Sequence, residues 1–553
     1  MKIIQKTVSM YTRDGICLDA DVYTPDESGE FPVLLMRQPY GRKIASTVVY
    51  AHPRWYAARG YIVAIQDVRG RGTSEGEFEL FTREGEDGED AVNWAAQLPQ
   101  SSGVVGMYGF SYQGMTQLYA AQHQPPALKA LCPAMLAYDL YQDWAYENGA
   151  FCLQGNLGWA VQLAAETARL KGDATAYKVL YSASGDLPFY DSSPRFKESL
   201  NKYAPSNFYQ QWLHHPNPQD PYWQQFTPDL SRVDLPMFHI GGWFDSYLRG
   251  TLRLYRYSLT HCKAAQRLLI GPWGHLPWCR RVGALDYGAE AASPVDELQI
   301  RWFDYHLKGR DTGELAQPPV RLFIMGRNQW QDFEQLPQLS PQVYYCHSNG
   351  LANLREDGGQ LLTTPPDTLQ QDSLVHDPWR PVPALGGHAA SPAGSFERSA
   401  LDGRSDVITY TTPPLSQGCH IVGEGRVLIY WETDGESFDL CAILSEVRPD
   451  GTVYNITQGY KRITQPAASP LEIPLQETAC FVPEGYGLRL SISGACFPAY
   501  PVNSGQGEGR GIPEFMDGQI ITLHILSGLD TPSRVILPLA HRREAPHWGS
   551  SCL

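Results

Sequence analysis

Apolar residues in the first 137 positions fall into short unbroken runs, each stopping at a cluster of glycine and polar residues. Phe31–Met36 and Tyr61–Ile65 are such runs, and their continuity predicts strands buried on both faces. Before them, Gly15-Ile16-Cys17-Leu18-Asp19-Ala20-Asp21-Val22-Tyr23 alternates, the period of an antiparallel strand. Trp55–Arg59 and Asp90–Gln97 carry helical spacing, the first closed by Gly60. A third apolar stretch, Val104, Val105 and Met107, leads into Gly109-Phe110-Ser111-Tyr112-Gln113-Gly114. After it, Met115, Leu118, Tyr119, Ala120 and Ala121 mark the buried face of a helix. Strands alternating with helices predict a mostly parallel sheet of α/β class.

The rhythm changes at 138. Residues 138–231 show helical spacing, many aromatics and no buried strand, as expected of a helical cap over the carboxyl end of the sheet. The sheet pattern resumes over 232–318. The strand Leu235–Ile240 runs into Gly241-Gly242-Trp243-Phe244-Asp245, a helix continues through Tyr257, and Arg267–Ile270 runs into Gly271-Pro272-Trp273-Gly274-His275. A last helix covers Glu297–Leu307. From 319 to 553, short alternating segments between Pro, Gly and Asn predict a β-sandwich or jelly roll. The expected division is 1–137 and 232–318 for an α/β core, 138–231 for the cap and 319–553 for the jelly roll.

Composition narrows the picture only a little. A chain of 553 residues is too long for one core. The net charge of −15 with no basic run argues against nucleic acid as a partner. The acidic cluster Glu84, Glu86, Asp87, Glu89 and Asp90 reads as the solvated first turn of a helix. No signal peptide is visible and no run is long enough to span a bilayer. The 11 scattered cysteines lack C-x-x-C pairs, which fits free thiols in the cytoplasm and leaves no zinc ribbon. The glycine-rich loop after Asp67 lacks P-loop spacing.

The candidate chemistry sits where strands end. A strand, a tight turn with serine at its apex and a helix would lift the Ser111 hydroxyl clear of the sheet and aim helical amides at it. The usual elbow is G-x-S-x-G; here Gln113 holds the place of the second glycine. Serine is also a favoured helix N-cap, so the turn alone decides nothing. A serine nucleophile needs a base, and the base needs an orienting acid. Ser111, Asp245 and His275 follow in the order Ser…Asp…His of α/β-hydrolases, each just after a strand. Singly, Asp245 could cap the next helix and His275 could be a packed loop residue. His239, a rival base, lies mid-strand and reads as core.

With these pieces together, the sequence resembles the cocaine esterase-like (CocE/NonD) hydrolases of the X-Pro dipeptidyl-peptidase superfamily. That superfamily also holds α-amino acid ester hydrolases and glutaryl-cephalosporin acylases. The shared motifs are Arg37-Gln38-Pro39-Tyr40-Gly41, Asp67-x-Arg69-Gly70-x-Gly72-x-Ser74-x-Gly76, Gly109-x-Ser111-Tyr112-x-Gly114, Gly241-Gly242-Trp243-Phe244-Asp245 and Gly271-Pro272-Trp273-x-His275. The second half matches at Asp377-Pro378-x-x-Pro381-Val382-Pro383, Arg404-x-Asp406-Val407, Val447-x-Pro449-Asp450-Gly451 and Phe497-Pro498. The family's own elbow is G-x-S-Y-x-G, so the late glycine fits it.

The resemblance implies an α/β-hydrolase core with a helical cap and a C-terminal jelly roll. It implies an oxyanion hole made by the Tyr40 hydroxyl and the Tyr112 amide, although Tyr40 also reads as a core aromatic. By a looser alignment it places Trp144, Trp159 and Tyr247 in a substrate pocket, where core packing between cap and sheet is the plain reading. The expected function is hydrolysis of a small-molecule ester or amide through an acyl-enzyme, with no metal or other cofactor. The alternatives are an X-Pro dipeptidyl-peptidase, an amide acylase or an acyltransferase at the same site, or a glycan-binding protein with an idle core. The expected setting is cytoplasmic, with no nucleic acid or membrane partner; a homodimer is left open.

Overall fold

The computed structural model describes residues 2–187, 195–464, 469–507 and 518–541. Ten strands of these residues build the first sheet: β1 (Ile3–Tyr11), β2 (Cys17–Pro25), β3 (Phe31–Gln38), β4 (Ile62–Asp67), β5 (Ser101–Phe110), β6 (Leu128–Ala134), β7 (Met237–Phe244), β8 (Gln266–Gly274), β9 (Val320–Ile324) and β10 (Gln329–Phe333). Their spatial order is β1-β2-β4-β3-β5-β6-β7-β8-β9-β10. From β4 through β9 all neighbours are parallel, and antiparallel pairs close the two edges.

The unbroken apolar runs are explained by what covers the two faces. Val33, Leu35, Ile62 and Ala64 point to one side, into a core shared with α2 (Glu84–Ala96), α3 (Tyr112–Gln122) and the cap. Leu34, Met36, Val63 and Ile65 point to the other, against Tyr56 and the helix Val295–Lys308 with Trp302 and Phe303. With both faces dry, no polar alternation can survive in the central strands.

Residues 320–333, expected with the jelly roll, pair with the first sheet instead: Val320, Arg321 and Leu322 lie beside Leu268, Leu269 and Ile270. A short half-buried strand carries the same period whichever sheet accepts it. The C-terminal sheet contains thirteen strands among the described residues, from Pro341–Ser348 to Arg534–His541. Alternate residues such as Val427, Ile429, Leu440, Ala442, Leu490, Ile492, Leu523 and Ile525 fill its interior, the pattern of a β-sandwich.

Between β6 and β7 lies the helical cap: α4 (Leu153–Leu170), α5 (Ala174–Gly185), α6 (Arg195–Tyr203), α7 (Phe208–His214) and α8 (Pro221–Gln224). The cap also holds a hairpin that was not expected, Tyr146–Glu147 against Ala150–Phe151. Two residues per strand are too few to register as a period. No helix among the described residues is long and apolar enough to cross a membrane.

Candidate active site

Ser111 stands between β5 and α3 with φ 60° and ψ −126°. A non-glycine residue in that region is strained and must be held there by its surroundings. Its backbone N–H donates to the carbonyls of Ala134 and Met135 at 2.9 and 3.1 Å, fixing the turn on β6. Two glycines make the turn fit. A Cβ on Gly109 would stand 2.5 Å from the Gln113 Cβ, and one on Gly114 would stand 2.9 Å from the Ala134 oxygen. The displaced glycine therefore has a packing cause: Gln113 folds back under Gly109, its Oε1 accepting from the Phe110 amide at 3.3 Å, while position 114 abuts β6. The Ser111 side chain does not cap α3, so the ordinary N-cap reading does not describe it. As the first residue of α3, Tyr112 has an amide with no acceptor inside the helix.

Asp245 directly follows β7 and is fully buried. Its Oδ1 lies 2.8 Å from His275 Nδ1, just beyond β8. Asp245 does not cap the following helix, Leu248–His261, which has no side-chain cap. The His275 ring lies 5.4 Å from Phe110, the neighbour of Ser111, and 4.8 Å edge-on from Tyr247. His239 is buried, bonds Gln266 Oε1 at 2.9 Å and is pushed down by burial to about 4. It is a neutral core imidazole remote in role from the strand ends.

Tyr40 lies in the loop after β3, two residues past Gln38. Burial pushes its phenol up to about 12, against hydrogen bonding with the side chains of Trp159 and Ser111. The Trp159 Nε1–H donates to the Tyr40 oxygen at 3.1 Å, which leaves the phenolic proton free to point elsewhere. Trp159 packs 4.9 Å from Trp144, and Trp144 packs 4.3 Å from Tyr247. The three aromatics suggested by the family thus form one wall that ends edge-on at His275. Phe81, not anticipated from the sequence, joins it: its ring stacks on Tyr112 at 4.5 Å and its φ is 61°. Nothing in the residues around it signals that strain.

The acidic first turn of α2 is corrected. Glu84 and Asp87 are buried rather than solvated. Glu84 takes Arg37 Nη1 at 2.5 Å on one oxygen and the Tyr112 hydroxyl at 2.7 Å on the other. Asp87 takes Arg69 Nη2 at 2.6 Å. Their partners lie on other elements, so no local signal reveals them, except that Arg37 is a charge directly after the apolar run Phe31–Met36.

The C-terminal sheet and its loops reach the same place. Gln476 Nε2 donates to the carbonyls of Trp243 and Asp245 at 3.0 and 3.2 Å. The Ser246 hydroxyl donates to the His388 carbonyl at 2.8 Å. Cap residue Glu147 gathers Arg249 (2.8 Å), His388 (2.9 Å) and the Tyr500 hydroxyl (2.6 Å) on one buried oxygen. Burial pushes that carboxyl up, but the charges of Arg249 and His388 hold it well below the usual carboxylate range.

The model of the X-Pro dipeptidyl-peptidase (S15 family) matches residues 14–277, and that of the X-Pro dipeptidyl-peptidase C-terminal non-catalytic domain matches residues 315–535. The chain is similar to the cocaine esterase of Rhodococcus sp. (strain MB1 Bresler), with 29% identity across 98% of this chain and 99% of that protein. Among solved structures, an aminopeptidase from a marine sediment thaumarchaeon superposes with a TM-score of 0.81 at 21% identity, covering 97% of this chain and 96% of that one. A CocE/NonD family hydrolase from Staphylococcus aureus superposes with a TM-score of 0.70 at 16% identity, covering 98% and 94%. At those identities the two structures speak for the fold alone. Two family matches in tandem, a relative alike over its whole length and the hydrolase fold together place the chain in the X-Pro dipeptidyl-peptidase (S15) superfamily, as a serine hydrolase of the CocE/NonD type.

Proposed function

We propose that Ser111, His275 and Asp245 are the nucleophile, base and orienting acid of this hydrolase. The observation that carries the reading is the 2.8 Å contact of His275 Nδ1 with buried Asp245, the imidazole lying 5.4 Å from the Phe110 ring that precedes a serine held at positive φ and not used as a cap. Asp245 keeps the Nδ1–H tautomer, so Nε2 can take the serine proton as Oγ attacks an ester or amide carbonyl. The Tyr40 hydroxyl and the Tyr112 amide receive the developing oxyanion. His275 then gives its proton to the leaving group and activates the water that releases the acid.

The wall of Trp144, Trp159 and Tyr247 suits an apolar acyl or aryl group. The buried carboxylates around the site are already engaged: Glu84 by Arg37 and Tyr112, Glu147 by Arg249, His388 and Tyr500, and Asp143 by Arg253 at 3.3 Å and two backbone amides. None of these three is left to anchor a substrate ammonium, so neutral esters are the better substrates and free-amine peptides the poorer. The described cysteines are all free, which supports a reducing, cytoplasmic setting.

A fluorophosphonate probe is expected to label Ser111 alone. Ser111→Ala should abolish labelling and lower kcat by about 10⁶-fold if the three residues act as a unit. Labelling that persists in that variant would sink the assignment. A panel of p-nitrophenyl esters and aminoacyl p-nitroanilides should show turnover concentrated on the esters.

A further inference from the structure

Arg71 lies in the loop after β4 and is sealed from solvent, 1% exposed. A buried guanidinium brings a full charge and five donors that need partners. Its neighbours in sequence and space have them: Arg37 pairs with Glu84, Arg42 with Asp21 and Asp67, and Arg69 with Asp14 and Asp87. Arg71 pairs with no carboxylate among the described residues. Its Cζ sits 3.8 Å from the centre of the Phe78 ring, and one Nη1–H donates to the Leu163 carbonyl at 3.2 Å. Its Nε is buried without an acceptor. The acid that reaches it electrostatically, Glu166, is held by Arg169 through two bonds of 2.8 and 2.7 Å. The other groups in its field are Tyr40 and Tyr112. Leu163 lies one turn after Trp159 on α4, so Arg71 and the Tyr40 phenol are fastened to one stretch of the same cap helix.

We propose that Arg71 is a positioning residue for hydrolysis: an unneutralised positive charge held behind the oxyanion hole that favours the tetrahedral oxyanion through the Tyr40 hydroxyl and the Tyr112 amide. The inference rests on the assignment of those two donors given above. It accounts for why the charge is left without a carboxylate, since a fixed anion would cancel the field in the ground state. Negative charge appears at the site only as Ser111 adds to the carbonyl, and only then is the guanidinium compensated. Arg71 is too enclosed to touch substrate, and it neither gains nor loses a proton in the cycle. Burial pushes it down to about 10, which leaves it charged at neutral pH, and its field opposes the rise of the Tyr40 phenol.

Three variants separate charge from packing. Arg71→Met keeps the stem over Phe78 and removes the charge, Arg71→Gln also keeps a donor for Leu163, and Arg71→Lys keeps the charge. For a neutral p-nitrophenyl ester, Met and Gln should both lower kcat by roughly 10- to 100-fold with little change in KM, while Lys recovers most of the loss. Binding of a trifluoromethyl ketone, which forms the oxyanion adduct, should weaken by the same factor. Melting temperature should stay level or rise in Arg71→Met, because replacing an uncompensated buried charge by an apolar side chain relieves the folded state. In a Tyr40→Phe background the Arg71→Met effect should shrink. Full activity in Arg71→Gln beside loss in Arg71→Met would assign the role to the cap hydrogen bond and overturn the proposal, as would unchanged kcat in both. If Ser111→Ala stayed active, the underlying site assignment would fail whatever Arg71 does.

Discussion

At the scale of single residues, the pairing of Trp159 with Tyr40 bears directly on the proposed oxyanion hole. Trp159 donates to the phenol oxygen, which leaves the Tyr40 proton available for the oxyanion, the role proposed for it. Tyr40→Phe keeps the ring and removes the donor. Its kcat should fall by roughly 10²–10³ with near-normal KM and melting temperature. A packing role alone gives a normal kcat, so one steady-state measurement separates the two. His239 offers a test of another kind. Its folded-state pKa of about 4 lies below that of an unfolded histidine, so the unfolded chain binds the proton first. The stability it contributes is therefore whole above about pH 6.5 and is lost as pH falls toward the folded value, at up to roughly one kcal/mol per pH unit. Urea midpoints measured between pH 7 and pH 4.5 should fall more steeply for the parent than for His239→Gln.

At the scale of elements, the strand–serine–helix turn is braced from outside. The Tyr112 hydroxyl on α3 reaches Glu84 at the start of α2, and Arg37 on β3 holds the other carboxylate oxygen. Tyr112→Phe removes that brace and leaves the backbone amide in place. Stability should drop by about 1–3 kcal/mol, the cost of stranding a buried polar group, while kcat stays close to the parent. A large loss of kcat at unchanged stability would mean that the side chain, not the amide, acts in the reaction. What the sequence disclosed of this region follows the same division. The elbow, the parallel strands and the residues at their carboxyl ends were legible because each is written in consecutive positions. Glu84 and Asp87 look solvated in sequence because the arginines that pair with them come from β3 and the loop after β4. Phe81 left no trace, since its ring meets Tyr112, a residue 31 positions along the chain, and a phenylalanine carries no local signal of positive φ. The strand Val320–Ile324 was placed in the wrong sheet because its period does not name its partner.

At the scale of the whole molecule, cap, core and C-terminal sandwich meet at Glu147. One oxygen there takes bonds from Arg249 in the core and from His388 and Tyr500 in the C-terminal half. Glu147→Gln breaks a buried ionic cluster and should cost about 3–5 kcal/mol, visible as a lower melting temperature with parallel loss of activity. A chain ending near Leu307 should be inactive and prone to aggregate, because it lacks β9, β10 and the bonds that Gln476 and His388 make to the loop around Asp245. Full activity in a soluble, monodisperse chain of that length would show the C-terminal half to be dispensable.

The bond from Gln476 to the Asp245 carbonyl joins positions 231 residues apart. A ribosome adding about 5–20 residues each second needs on the order of tens of seconds to travel from one to the other. Once His275 has been made, Ser111, Asp245 and His275 are all present, yet the Asp245 carbonyl still lacks its bond from Gln476. Hydrolysis by a ribosome-bound chain is therefore expected only after Gln476 has been made and has docked on the Asp245 loop.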